Sequence, residues 1–125
     1  MIAPVRVGVV TSPSGAAIND ILKILRGRVE AFRSKKIKIP QMGWNSVRLR
    51  IKHPLLKGIP DESYFYFVHS FYAVPEDKGV IAGTCQYGRE KFPAMIGHEN
   101  VFATQFHPEK SQEAGLRLLQ NFLEW

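Results

Sequence analysis

Near the end of the chain a histidine and a glutamate stand two residues apart, in Phe106-His107-Pro108-Glu109. At this spacing the carboxylate can turn back and accept a hydrogen bond from the imidazole Nδ1–H. Such a bond fixes the tautomer and leaves Nε2 free to act as a base toward a thiol or hydroxyl nucleophile. By spacing alone, however, a His-x-Glu pair in a turn is more often a solvated loop pair than a catalytic one.

The pair is predicted to lie between a strand and a helix. Residues 101–105 have the composition of a buried strand, and open α/β sheets bind ligands at the carboxyl ends of such strands. Residues 112–125 are predicted to form a closing helix with Ser111 as its N-cap. The apolar face of this helix is predicted to consist of Leu116, Leu119, Phe122 and Leu123.

A strand–turn–helix unit is predicted at the front of the chain. Residues 5–10 are β-branched, residues 11–15 have turn chemistry, and residues 16–26 place apolar side chains at helical spacing. Ser14 is the predicted N-cap of that helix, and Gly27 stands where a helix C-terminus prefers glycine. Further strands are predicted at residues 29–32, 37–40, 47–51, 63–68, 80–84 and 94–96, with a loop at 53–60 and a hairpin turn at 97–100.

These elements predict the fold class. With 125 residues, 45% hydrophobic and 22% charged, the chain fits a single globular domain over residues 1–125. Helices near both ends with strands between them are typical of an α/β protein. We expect a mixed, largely parallel sheet with flanking helices.

Several features bear on the compartment. No apolar run approaches the roughly 18 residues that cross a bilayer. The first residues lack the pattern of a signal peptide. Cys85 is the sole cysteine, which excludes an intramolecular disulfide and fits a reducing compartment. We therefore expect a cytoplasmic protein that uses no membrane, metal or cofactor.

The formal charge of +6 could indicate a nucleic-acid partner. The basic residues concentrate between positions 26 and 57, and in residues 47–52 they alternate with apolar residues. That alternation favours a half-buried strand with a solvated face. We therefore expect no nucleic-acid partner, and a basic nucleic-acid-binding module is the less favoured alternative.

Four stretches carry a resemblance to a known family: IPQMGWN (39–45), HPLLKGIP (53–60), YFYFVHSFY (64–72) and FATQFHPEKS (102–111). From about residue 28 to residue 125 the chain resembles the C-terminal half of class I glutamine amidotransferases. Within that family it is most similar to the glutaminase subunit of imidazole glycerol phosphate synthase, an enzyme of histidine biosynthesis.

The resemblance implies roles for several residues. His107 and Glu109 would be the second and third members of the catalytic triad. The substrate glutamine would lie beside His69, Ser70, Phe71 and Tyr72. The cyclase subunit that receives ammonia would face Met42, Trp44 and Lys110, although core packing is an alternative explanation for Met42 and Trp44.

The family also requires a cysteine on a sharp strand-to-helix turn, because its thiolate forms the glutamyl thioester. No such cysteine precedes Val29 in this chain. Cys85 lies at a predicted strand end far downstream and is interpreted as a structural thiol. We therefore expect no glutaminase activity; a residual glutaminase using His107 and Glu109 is the alternative.

Residues 3–27 resemble instead a strand–turn–helix of the large subunit of exodeoxyribonuclease VII. Asp20 matches an acidic residue associated with nuclease activity there, but the other nuclease motifs are missing. We expect a recombined or engineered chimera with a junction near residues 27–29. A truncated amidotransferase would leave one sheet edge bare, which homodimerisation or strand exchange could cover.

An accidental hydrolase is a further alternative. In the chimera, Thr11, Ser12 or Ser14 would fall near the position of the family's nucleophile and could face His107. Such a triad requires placement within roughly 0.5 Å, which disfavours this hypothesis.

Overall fold

The computed structural model describes residues 7–10 and 25–125. The strands are β1 (Val7–Val10), β2 (Gly27–Ala31), β3 (Gln41–Leu49), β4 (Ser63–His69), β5 (Phe71–Pro75), β6 (Ile81–Tyr87), β7 (Glu90–His98) and β8 (Val101–Thr104). They are joined by short 3-10 turns at Pro54–Leu56, Lys78–Val80 and Pro108–Lys110, and followed by helix α1 (Gln112–Glu124). The predicted turn at 11–15, most of the helix at 16–26, and Asp20, Thr11, Ser12 and Ser14 lie outside the described residues.

Six strands form one sheet in the order β1-β8-β7-β6-β3-β4, and β2 pairs with β5 separately. Only β1 and β8 are parallel among the described pairs. The mixed sheet is confirmed, but the expectation of a largely parallel one is wrong. Residues 88–89 and 99–100 are two-residue links between consecutive strands, and only antiparallel strands can be joined so tightly.

Individual strands were predicted with uneven success. Strand β4 and the hairpin between β7 and β8 are confirmed. The predicted strand at 37–40 is wrong, since β3 starts only at Gln41, and β3 includes residues 41–46, which were not predicted to be strand. Strand β5 was missed. The switch from β4 to β5 takes a single bend residue, Ser70, which leaves no turn signal in the sequence.

The core is lined by the large sheet, by α1 and by the turn Pro54–Leu56, and Phe32 and Tyr72 from the side of the β2–β5 pair also belong to it. Its largest fully buried side chains include five phenylalanines, and burying such a ring contributes about 1.5–3 kcal/mol. They are Phe65, Phe67, Phe92, Phe102 and Phe106. Leu118 closes this cluster from the helix, and Leu55 and Leu56 close it from the 3-10 turn.

Helix α1 spans nearly the predicted residues but buries a different face. Leu116 and Leu123 are 61% and 84% exposed, so these two residues of the predicted apolar face are wrong, whereas Leu119 and Phe122 are half-buried and Phe122 packs against the core. The helix instead buries Gly115, Leu118 and Asn121. The Asn121 amide donates to the carbonyls of Leu55 and Lys57, both at 2.8 Å. The helix is thus fixed partly by hydrogen bonds that no apolar pattern could reveal.

Within residues 25–125, no helix is both long enough and apolar enough to span a bilayer.

Candidate functional site

His107 and Glu109 are in direct contact. The imidazole Nδ1 of His107 lies 2.8 Å from Oε1 of Glu109. Because a carboxylate oxygen can only accept, Nδ1 carries the proton and Nε2 is left as the basic nitrogen. The His107 side chain is 17% exposed and that of Glu109 50%. The imidazole is therefore sheltered yet accessible, as a general base must be.

The backbone of His107 is fastened to the neighbouring strand β4. Its N–H donates to the carbonyl of Tyr66 at 2.9 Å. The hydroxyl of Ser111 donates to the carbonyl of His107 at 2.7 Å and accepts from the N–H of Tyr66 at 2.9 Å. These bonds occupy the outer edge of β4 at Tyr66. They hold the histidine at the sheet edge and shield that part of the edge from other strands.

Ser111 therefore has a different task from the one predicted. It occupies the N-cap position of α1 but makes no side-chain capping bond. Its hydroxyl, in a residue 1% exposed, is used instead to join His107 to Tyr66. Sequence reasoning missed the part played by Tyr66, because a strand residue whose backbone holds another segment has no signature in its own side chain.

Phe106 anchors the histidine from the core side. Its side chain is 0% exposed, and its ring centroid lies 4.0 Å from that of Phe65 on β4. The backbone continues the sheet one residue beyond β8, since Gln105 N–H donates to the carbonyl of Ala94 at 2.8 Å. The residue before His107 is thus buried and the residue after it begins the 3-10 turn. The imidazole therefore lies at the point where the chain leaves the sheet, with both neighbouring residues fixed in place.

The Cys85 thiol is not part of this arrangement. It lies on β6, which β3 separates from β4, and the residue is 2% exposed. Burial raises the pKa of the thiol to about 12, so the reactive thiolate is scarce near neutral pH. This environment fits the predicted structural thiol.

The four residues predicted to lie beside glutamine separate into two groups. His69 is 0% exposed and Tyr72 is 6% exposed, so these two side chains face the interior, and their place beside glutamine stays a prediction. Ser70 is half-buried and Phe71 is 39% exposed, and both remain accessible. They lie where the chain leaves the large sheet and enters the β2–β5 pair.

The predicted partner residues lie at the surface. Met42 and Trp44 are 62% and 47% exposed, which excludes simple core packing, and Lys110 is exposed as well. Trp44 is the cross-strand partner of Tyr66, and their rings meet edge to face with centroids 5.8 Å apart. This exposed surface therefore adjoins the backbone that holds His107.

Among the described residues, no cluster of three or more His, Cys, Asp and Glu side chains is arranged to hold a metal ion. The alternative nucleophiles Thr11, Ser12 and Ser14 lie outside the described residues, so the accidental hydrolase stays a prediction.

Residues 14–125 match the family described as glutamine amidotransferase class-I. The match includes much of the segment attributed to an exodeoxyribonuclease VII-like unit. The recombined origin therefore stays a prediction.

Curated relatives include proteins named imidazole glycerol phosphate synthase subunit HisH. The one from Methanosarcina mazei is 44% identical over 115 residues, covering 91% of this chain and 56% of the relative. Those from Desulfitobacterium hafniense and Methanocaldococcus jannaschii are 51% and 52% identical, covering 83% and 82% of this chain and 48% and 51% of theirs. The chain spans about half the length of these relatives.

Solved structures agree on the fold. A Thermoplasma acidophilum protein described as a GMP synthase subunit superposes with a TM-score of 0.70 at 18% identity, covering 95% of this chain and 56% of that one. A glutamine amidotransferase of Thermotoga maritima gives a TM-score of 0.57 at 18% identity, covering 85% and 41%. With the family match over residues 14–125, these findings show that the chain belongs to the class I glutamine amidotransferases.

Proposed function

We propose that this chain supplies the general-base half of a glutamine-hydrolysing site and does not hydrolyse glutamine unaided. The observation that carries the proposal is the 2.8 Å contact between His107 and Glu109, with the backbone of His107 held by Tyr66 and Ser111. This geometry supports a base of fixed tautomer, able to remove a proton from a nucleophile during acyl transfer.

The nucleophile is the missing part. Glutamine hydrolysis through a thioester needs an accessible thiolate within hydrogen-bond reach of Nε2 of His107. Cys85 is the sole cysteine, and burial keeps it protonated and inaccessible. The His–Glu pair therefore needs a second, accessible cysteine, which this sequence does not contain.

The substrate class follows from the relatives. Their printed name, imidazole glycerol phosphate synthase subunit HisH, supports glutamine as the ligand and histidine biosynthesis as the ancestral setting. The accessible residues Ser70 and Phe71 follow His69, which ends β4 three residues beyond Tyr66. Because a strand rises about 3.4 Å per residue, Tyr66 and His69 lie about 10 Å apart, a span that a bound amino acid and its reacting amide can bridge.

A cyclase subunit is the proposed partner. Met42 and Trp44 are exposed on β3, and methionine and tryptophan are enriched at protein interfaces relative to the rest of the surface. Lys110 is exposed as well. This surface adjoins the proposed base through the Trp44–Tyr66 contact. Self-association of the chain is the competing use of the same surface.

Glutamine titration followed by NMR tests the binding part. We expect L-glutamine to shift resonances of Ser70, Phe71 and His107, and His107→Ala to weaken binding. His98→Ala is the matched control, because His98 is also an accessible histidine beside a glutamate but lies at the opposite end of the β7–β8 hairpin. Equal weakening in both variants would contradict the assignment.

Glutamate release tests the catalytic part. We expect none from the chain alone, with or without a cyclase subunit. Mixing with a cysteine-bearing front half of a curated relative should produce release that disappears in His107→Ala. Sustained release by the unaided chain, abolished by alkylating Cys85, would overturn the proposal.

A further inference from the structure

A buried polar group lies beside the proposed glutamine segment. His69, the last residue of β4, pairs across the sheet with Gln41, the first residue of β3. Both residues are buried, at 0% and 3% exposure, and the imidazole Nε2 lies 2.6 Å from Oε1 of the Gln41 side-chain amide. Phe32, Phe67 and Phe92 surround the imidazole, with ring centroids 4.8–5.6 Å away.

The other ring nitrogen reaches the segment that follows. Nδ1 of His69 lies 3.0 Å from the carbonyl oxygen of Phe71, two residues further on. A carbonyl can only accept, so Nδ1 carries the proton in this bond. The carbonyl oxygen of Ser70 also accepts a hydrogen bond, from the backbone N–H of Phe32 at 3.4 Å. Two consecutive carbonyls of the bend between β4 and β5 are thus held by interior donors.

The protonation of the imidazole fixes the orientation of Gln41. Burial lowers the pKa of His69 to about 4, so the ring is neutral near pH 7 and its Nε2 has no proton. A bare Nε2 needs a donor, and the amide NH2 of Gln41 is the group in reach. With Oε1 toward the ring, two acceptors would face each other. Since the two ends of an amide have nearly the same shape, we reverse the Gln41 amide, so that its NH2 group faces His69 and its oxygen faces away.

That orientation suits the third member of the group. The Gln41 side chain is also hydrogen-bonded to the thiol of Cys85. In the reversed orientation the amide oxygen faces the sulfur and the protonated thiol donates its S–H, in place of the N–H···S bond of the opposite orientation, which lowers the pKa of the thiol. The bonds then run in one direction, from Cys85 to Gln41, from Gln41 to His69, and from His69 to the Phe71 carbonyl. Each of these three bonds then has one donor and one acceptor.

We infer that Gln41 and His69 are positioning residues that fix the bend at Ser70 and Phe71 for glutamine, without touching it. The inference rests on the proposed function, because the ligand of the bend is taken from there. It gives His69 a role that its burial allows, in place of direct contact. It also explains why a glutamine, whose amide both donates and accepts, stands in the core beside aromatic rings.

Two nearly isosteric variants separate hydrogen bonding from packing. Gln41→Met keeps the length of the side chain and removes the donor. Gln41→Glu keeps the length and presents only acceptors, so a proton must move to Nε2 of His69. Gln86→Met is the matched control, since Gln86 is exposed on β6 and its side chain bonds locally to Gly88.

The readouts are the ¹⁵N shifts of the His69 ring, amide hydrogen exchange and glutamine affinity. We expect the wild-type ring to be protonated at Nδ1 alone and the Gln41→Glu ring to be protonated at Nε2. In Gln41→Met we expect exchange at residues 70–72 to rise at least tenfold and the glutamine Kd to rise at least tenfold. Exchange in α1 should not change, and Gln86→Met should behave as the wild type.

A wild-type ring protonated at Nε2 alone would overturn the hydrogen-bond order, even if both variants failed to fold. Unchanged glutamine affinity in a folded Gln41→Met would overturn the positioning role. A wild-type protein that binds no glutamine would overturn the proposed function and with it the role toward glutamine, whereas ring protonation and exchange would still decide whether the bend is held as inferred.

Discussion

Gly115 of α1 and Pro108 of the 3-10 turn are in backbone contact: a Cβ atom at Gly115 would lie 1.9 Å from the Pro108 carbonyl oxygen. It would also come within 2.7 Å of the Ser111 Cβ. Both neighbours belong to the short segment that positions His107. Only a residue without a side chain lets the helix pack this closely, so Gly115 couples the helix to the proposed base.

Gly115→Ala is therefore expected to destabilise the fold although alanine is the better helix former. The intrinsic gain of about 1 kcal/mol is offset by an overpacking cost of about 1–3 kcal/mol, or more where backbone must move. Urea unfolding measures the change. Leu116→Ala, at a side chain 61% exposed on the same helix, should be nearly neutral. A Gly115→Ala protein more stable than the wild type would show that the contact is looser than described.

Ser111→Ala is expected to lower the free energy of unfolding by about 1–3 kcal/mol, since the Tyr66 N–H loses its buried acceptor. Ser63→Ala serves as the control, because the Ser63 hydroxyl also donates to a carbonyl, that of Pro60, but at an exposed site. It should cost clearly less. Similar losses in the two variants would mean that burial of the Ser111 hydroxyl contributes nothing.

The positions of His107 and Glu109 were accessible from the sequence because a strand, a two-residue spacing and a helix are all local signals. The strand β4 and the turn at residues 97–100 were accessible for the same reason. The face of α1 was not, since its buried positions include Gly115 and Asn121, which serve a close approach and two hydrogen bonds. Neither the close approach at Gly115 nor the hydrogen bonds of Asn121 can be inferred from a pattern of apolar residues.

Whether neighbouring strands run parallel or antiparallel could also not be predicted from the sequence patterns. Val- and Phe-rich stretches read alike in parallel and antiparallel sheets, and the direction is set by which strands the links join. The burial of His69 was not predicted, because its hydrogen-bond partner Gln41 is 28 residues away in the sequence. A long-range polar pair in a core has no local signature.

Stability is expected to fall with pH between about 6.5 and 4. The pKa of His69 is lowered to about 4 in the folded state by burial, so the unfolded chain takes up the proton first as the pH falls through about 6.5. The loss from His69 is on the order of 3 kcal/mol and is complete near the folded pKa. His53, whose pKa burial also lowers, acts with the same sign.

Urea unfolding from about pH 7 to about pH 4.5 measures this dependence. His69→Gln should show a markedly shallower decline than the wild type, whereas His98→Gln, at an exposed histidine, should match it. Parallel declines in the wild type and His69→Gln would rule out a buried neutral imidazole as the source.

Cys85 is expected to resist thiol reagents in the folded protein, because the residue is 2% exposed and burial raises the pKa of its thiol to about 12. Reaction with Ellman's reagent at about pH 8 should be roughly 100-fold slower, or more, than after unfolding in guanidinium. A Lys35→Cys variant provides an exposed reference thiol in the folded state. Rapid modification of the native wild-type protein would contradict this prediction and make Cys85 a candidate nucleophile.

Trp44→Ala is expected to weaken cyclase binding at least tenfold, because a large half-exposed aromatic side chain is typical of the residues that dominate interface energy. The expected loss is about 2 kcal/mol of binding free energy. Titration calorimetry with the purified cyclase measures it, and Leu123→Ala, 84% exposed on α1, is the control at a distant surface. If the two variants bind the cyclase equally well, the surface around Trp44 is not the docking site. A lower apparent mass of Trp44→Ala than of the wild type would then assign that surface to self-association.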